Sequence, residues 1–245
     1  MQIDFPKIFQ KVPGLLAVQS TRIGGISKGN FSTLNLGFSS GDDEELVTKN
    51  RNLFFQQLQI SESEIASSFQ THGDQIFITS ESCRENGYDA IVTNQSNLFT
   101  CVTVADCVPV LVADPVNKVV AAIHAGWRGT ALGIVEKTIR QMEAKFGSET
   151  KNCLAYIGTC ISQDSFEVGK EVAEKFEEDC VKRGLENFFV DLKKANRRQL
   201  ERTGFLLKNI EVSPFCTALH NERYFSYRKE KGLTGRMLAL IGFRE

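Results

Sequence analysis

The segment from Leu98 to Arg140, LFTCVTVADCVPVLVADPVNKVVAAIHAGWRGTALGIVEKTIR, constrains this chain more than any other. Three apolar, β-branched runs follow one another in it, then a glycine-rich loop, then a helical pattern. Short apolar runs bounded by turn residues read as strands buried in a sheet. Cys107 lies in the turn ADCVP between the first two runs, where the proline forces extended backbone on the residue before it. His124 closes the third run, directly before AGWRG. A cysteine and a histidine at neighbouring strand ends, beside a flexible loop carrying Arg128, make a candidate site.

The rest of the chain supplies further strands and a few helices. Residues 14–22 and 33–38 read as strands, the second half-buried, and a helix opens at Gly41 and runs to about Leu58. Leu46, Leu53 and Phe54 mark its buried face, acidic residues crowd its first turn, and Arg51 is expected at the surface or in an ion pair. Residues 68–79 form two strands broken at His72–Gly73, and 88–93 another strand. Thr130 is placed to cap a helix with apolar positions 132, 135, 139, 142 and 146, stopped by Gly147. A strand at 152–158, helices at about 168–183 and 191–203, and two or three C-terminal strands, one containing FSYR, complete the pattern. The basic run in the second helix reads as a solvated face. Strands and helices intermix without strict alternation, so one α+β domain over residues 1–245, built on a mixed sheet or a pair of sheets, is expected.

Composition narrows the function. A net charge of −1 argues against binding nucleic acid through bulk charge, and no apolar run is long enough to span a membrane. Seven cysteines without repeating spacing, no CxxC and no signal-peptide pattern fit a reduced, cytoplasmic protein. Only three histidines are present, His72, His124 and His220, too few for the several coppers of a multicopper oxidase.

Each candidate keeps a plain reading beside the chemical one. Cys107 is a metal ligand, a nucleophile activated by His124, or a buried apolar residue. His72 alone is a hydrogen-bonded structural residue, and Trp127 alone a core anchor. Taken together, two histidines and one cysteine with a fourth position left to water form a known catalytic zinc set, with Zn–S near ~2.3 Å and Zn–N near ~2.0–2.1 Å. Arg128, at a strand-to-helix turn, is suited to holding phosphate or carboxylate.

Several motifs in order resemble the YfiH/YlmD family, whose members carry the labels polyphenol oxidase, laccase-domain protein and purine nucleoside phosphorylase. They are QTHG at 70–73, DAIVT at 89–93, ADCVPVL at 105–111, HAGWRG at 124–129, IGTCI at 157–161, FSYR at 225–228 and TGRM at 234–237. STRIGGIS, LNLG and the pair Asn50–Arg51 extend the match to essentially the whole chain. The resemblance implies a layered α/β/β/α fold with mixed sheets, shared distantly with the catalytic domain of cytotoxic necrotizing factor toxins. It implies His72, Cys107 and His124 as zinc ligands, with copper the less favoured metal. It implies phosphorolysis of adenosine, inosine, guanosine and methylthioadenosine, with adenosine deamination, so that a purine nucleoside and phosphate are the partners. Arg51 and Arg228 fall where the family grips nucleoside or phosphate. Leu219, in CTALH, stands where many relatives have a second cysteine, which weakens a paired role for Cys216 and leaves His220 a local structural residue. Asp106 and Asp89 are both candidates for the proton shuttle. The alternatives are a cysteine hydrolase or amidase using Cys107 and His124, acting in cell-wall precursor editing, and a copper phenol oxidase. The motifs leave the oligomeric state open.

Overall fold

A computed structural model describes residues 1–245. Two six-stranded sheets face each other. The first runs, in order across the sheet, Ile3–Asp4, Leu15–Ser20, Met237–Phe243, Phe99–Val104, Ile65–Phe69 and Cys83–Asn86. The second runs Ile210–Val212, Leu154–Ile157, Val108–Asp114, Val119–Ala125, Ala90–Thr93 and Ile76–Ile78. Both are mixed: the central pairs are antiparallel, while Ile65–Phe69 pairs parallel with both its neighbours.

Side-chain alternation along the strands sorts three apolar layers. Leu111, Ala113, Val120 and Ala122 meet Val102, Ala239 and Ile241 between the sheets. The alternate residues Val108, Val110, Val112, Ala121 and Ile123 face the helices Ile134–Phe146 and Leu192–Arg202. On the far side Phe99, Cys101, Leu238 and Leu240 face Phe54, Phe55 and Leu58 of the helix Glu44–Gln57 and its C-terminal end. The result is the α/β/β/α layering that the motifs imply. No helix is long and apolar enough to cross a membrane.

The hairpin Val108–Asp114/Val119–Ala125 sets the register that matters. Its turn is tied by Asp114, whose Oδ1 accepts from the Val116 and Asn117 amides. Pairing Val108 with Ala125 and Asp114 with Val119 brings Pro109 opposite His124. A slip of one residue would turn His124 toward the helices, so the apolar pattern that buries both faces also aims the histidine.

Several local expectations are corrected. Residues 33–38 form no strand, because Arg22, Asn50 and Arg51 occupy backbone groups that a ladder would use, and Leu34 and Leu36 are fully buried, not half-buried. Leu53 and Leu132 are exposed; Val47 and Phe55 take the core side of the first helix. The helix expected from Thr130 is two, Trp127–Ala131 and Ile134–Phe146, separated at Gly133 by a left-handed φ of 80°. The expected helix at 168–183 is absent beyond Lys170–Ala173. Strands Glu167–Val168, Val181–Arg183 and Phe188–Val190 form a small antiparallel sheet there, and burying Val190 and Cys180 outweighs the helix propensity of the charged run. FSYR lies in a turn, leaving Ile210–Val212 and Met237–Phe243 as the C-terminal strands.

Candidate metal centre

The loop between Ile65–Phe69 and Ile76–Ile78 crosses from the first sheet to the second and carries His72. Gln70 begins the crossing as a surrogate strand residue. Its side-chain Nε2 donates to the Thr103 carbonyl (2.8 Å) and its Oε1 accepts from the Thr103 amide (2.8 Å). His72 then adopts a left-handed φ of 61°. Such backbone is disfavoured for residues with a Cβ, and Asp89 holds it in place. The buried Asp89 carboxylate accepts from the amides of Thr71 (3.1 Å), His72 (3.0 Å) and Gly73 (2.8 Å).

Asp89 also orients the second histidine. It directly precedes the strand Ala90–Thr93, and its carbonyl accepts from the His124 amide at 2.7 Å. Its Oδ1 lies 2.7 Å from His124 Nδ1, which leaves Nε2 to face outward. Burial works against charge on Asp89, but His124 and the Gly73 and Thr71 amides hold its pKa below the ordinary carboxylate value. A carboxylate behind a ligating imidazole is the usual device for fixing its tautomer and basicity.

His72, Cys107 and His124 come together at this end of the two sheets, with their ligand atoms all within 4.8 Å of one another. The two imidazole rings meet edge to face, centroids 4.8 Å apart. Gly126 completes the cradle: a Cβ there would stand 3.1 Å from Cys107 Sγ and 3.2 Å from His72 Cδ2. Burial pushes the Cys107 thiol up, but His124 and His72 beside it prevail and bring it to about 6. Burial lowers His124, yet Cys107 and Asp89 raise it to about 9. Without a metal the pair is therefore a thiolate and an imidazolium at neutral pH. Two imidazoles and a thiolate in one cluster, with a carboxylate behind one imidazole, fit a single borderline-soft cation.

The cluster forms one wall of a cavity of about 560 Å³, a size suited to a small-molecule ligand. Asp106, Trp127, Arg128, Phe166, Tyr227 and Arg228 line it, as do Arg51, Arg84 and Arg236. The arginines differ in what they are free to do. Arg51 is buried, with Nε and Nη2 donating to the Glu62 carboxylate and Nη1 to the Leu36 carbonyl. Burial opposes its charge, but Glu62 outweighs that and its pKa is raised. It is thus the ion-paired arginine anticipated from sequence, inside the protein and not at the surface. Arg84 shares Glu62 and covers the Phe38 ring. Arg128 is exposed and stacks on Trp127 at 4.4 Å. Arg228 donates from Nη2 to the Glu167 carbonyl.

Of the two candidate carboxylates, Asp89 stands behind the ligands and Asp106 lines the cavity. Asp106 has a φ of 81°. Its Oδ1 accepts from Thr217 Oγ1 at 2.5 Å and its Oδ2 from the Arg228 amide at 2.6 Å. Burial pushes its pKa up. His220 is local and structural, its Nδ1 3.0 Å from the Cys216 carbonyl. Arg84 and Arg236 were not singled out by sequence reasoning; the second lies within the TGRM motif, and its neighbours become visible only in three dimensions.

Fold and site together define an α/β/β/α protein with a His₂Cys centre open to an arginine-lined cavity. The family model described as multi-copper polyphenol oxidoreductase laccase matches residues 16–244. The chain belongs to that family, the one its motifs resemble under the names YfiH and YlmD. A purine nucleoside phosphorylase of Bacteroides thetaiotaomicron is 36% identical over 240 residues, covering 91% of this chain and 89% of that protein. Purine nucleoside phosphorylase YfiH of Escherichia coli K12 is 34% identical over 235 residues, 93% of each chain. The crystal structure of YlmD from Geobacillus stearothermophilus superposes with a TM-score of 0.91 at 30% identity, over 96% of this chain and 93% of that one.

Proposed function

We propose that this protein is a zinc-dependent purine nucleoside phosphorylase that also deaminates adenosine. The observation carrying the proposal is the His72–Cys107–His124 cluster set in the wall of an arginine-lined cavity of nucleoside size. Relatives named for this activity match over nearly the whole chain. Zinc held by the three side chains would supply a Lewis acid at the cavity wall. In phosphorolysis a phosphate oxygen bonds to ribose C1′ as the C1′–N9 bond breaks, and the departing purine takes up a proton. The cavity arginines offset phosphate charge and position it for attack. Asp106, buried and facing the cavity, is the residue that holds and delivers that proton. In deamination the elements of water replace the 6-amino group, which leaves as ammonia, and Asp106 serves the same role. The chain has three histidines and gathers them into no second metal cluster, which favours one ion over the several coppers of the family's description.

The test is base release from adenosine, inosine, guanosine and methylthioadenosine with and without inorganic phosphate, together with inosine formation from adenosine. Phosphate-dependent base and ribose 1-phosphate are expected. Base release that is unchanged without phosphate, or no release from any of the four, contradicts the reading.

A second reading, a cysteine hydrolase, draws on the Cys107 thiol being held at about 6 beside His124. It requires a free sulfur in the active protein. Rapid alkylation of Cys107 in fully active, zinc-loaded protein supports it, and protection by zinc opposes it.

A further inference from the structure

We infer that Arg236 is the residue that anchors the phosphate, an assignment resting on the phosphorolytic reading above. Of the arginines lining the cavity, Arg51 and Arg84 are paired with the single carboxylate of Glu62, which they share. Arg128 and Arg228 are exposed to water. Arg236 is neither. It is half-buried, lines the cavity, and makes no ion pair with any carboxylate of the chain, whereas the buried Arg51 pairs with Glu62. The Cys107 and Asp106 charges act on it from nearby, but no carboxylate touches it, and a guanidinium partly withdrawn from water gains from a ligand that supplies that contact.

Its hydrogen bonds leave a defined face free. Nη1 donates to the carbonyls of Thr234 (2.6 Å) and Gly235 (3.0 Å), while Nε and Nη2 donate to no protein group. The Nε/Nη2 edge is a fork that matches two oxygens of a phosphate. The Tyr227 ring centroid lies 5.7 Å from the guanidinium carbon, a cation–π contact that uses none of the N–H donors.

The side chain is also built into place, which accounts for the LNLG motif. Asn35 Oδ1 accepts from the Arg236 amide at 2.8 Å, and the Leu36 amide donates to the Arg236 carbonyl at 3.0 Å. Gly37 lies against the arginine stem, so closely that a Cβ at position 37 would stand 2.5 Å from Arg236 Cγ and 2.6 Å from its Cβ. Residues 34–37 are thus a clamp that fixes where the fork points.

The test titrates wild-type protein, Arg236→Gln, Arg236→Lys and Gly37→Ala with inorganic phosphate. Binding is read by calorimetry and by the fluorescence of Trp127, the only tryptophan, which lines the same cavity. Arg236→Gln should weaken phosphate about 10- to 100-fold, the range for losing a charge-assisted pair. Arg236→Lys should recover only part of that loss, and Gly37→Ala should weaken phosphate with its guanidinium intact. In turnover, Arg236→Gln should raise KM for phosphate with KM for nucleoside within about threefold. Melting temperature and metal content identify any variant that fails to fold, and Arg236→Lys, which keeps the stem and the charge, carries the test in that event. Phosphate binding equal to wild type in folded Arg236→Gln, or no phosphate binding by the wild type, overturns the assignment. Binding that depends on Arg236 in a protein with no phosphorolytic activity would uphold the anion site and overturn the phosphorylase reading instead.

Discussion

At the scale of single residues, the centre depends on side chains that touch the ligands without being ligands. Gly126 has φ −68° and ψ 172°, which alanine adopts freely, so its value lies in the absent Cβ. Gly126→Ala should therefore leave the melting temperature within a few degrees while lowering zinc affinity about 10-fold or more, read by competition with a chromogenic chelator. Cys107 offers a second test. Its folded pKa is depressed, so the thiolate forms as pH rises through about 6; His124, with a raised pKa, stays protonated until about 9. The stabilisation from Cys107 is lost as pH falls through the lower value, and that from His124 as pH rises through the upper one. In metal-free protein, iodoacetamide labelling of Cys107 should rise with an inflection near pH 6, where an ordinary thiol responds near ~8.5; zinc should suppress it. An inflection at the ordinary value would remove the thiolate–imidazolium pair from the account.

At the scale of elements, the first helix matters for what it buries. Arg51 reaches from the middle of Glu44–Gln57 to Glu62 and the Leu36 carbonyl, so it braces the far wall of the cavity. Arg51→Met should cost about 1–3 kcal/mol of stability, seen as a lower urea midpoint at unchanged slope. The resemblance placed Arg51, with Arg228, where the family grips nucleoside or phosphate; the Arg51 guanidinium is taken up by Glu62 and the Leu36 carbonyl, in keeping with the assignment of phosphate to Arg236 proposed above. Elements were legible where a period ran uninterrupted. Phe99–Val104, Val108–Asp114 and Val119–Ala125 follow directly from their apolar runs. Residues 168–183 were not legible, because their strands exist only through pairing with Phe188–Val190, a partner no local window contains. Residues 33–38 misled for a related reason: the backbone carbonyls there are taken by the Asn50 and Arg51 side chains, not by a ladder.

At the scale of the whole molecule, the two sheets bring together residues that the sequence keeps apart. His72 rides the crossing between sheets, Cys107 a hairpin entry and His124 a strand end, and no spacing rule links them. The donor set was visible as a scarcity of histidines beside one turn cysteine, and the family motifs supplied the grouping. What stayed hidden was the support: Asp89 pinning three amides and one imidazole, and the LNLG clamp on Arg236, both made of contacts between distant segments. The central claim is that one zinc at His72, Cys107 and His124 is required for phosphate-dependent cleavage of purine nucleosides. The direct measurement is elemental analysis and inosine phosphorolysis on the same sample, before chelation, after it, and after zinc is restored. One zinc per chain is expected, with activity lost with the metal and regained with it, and neither metal nor activity in Cys107→Ala. Full phosphorolysis by the metal-free protein, or copper in place of zinc in the active form, would contradict that claim.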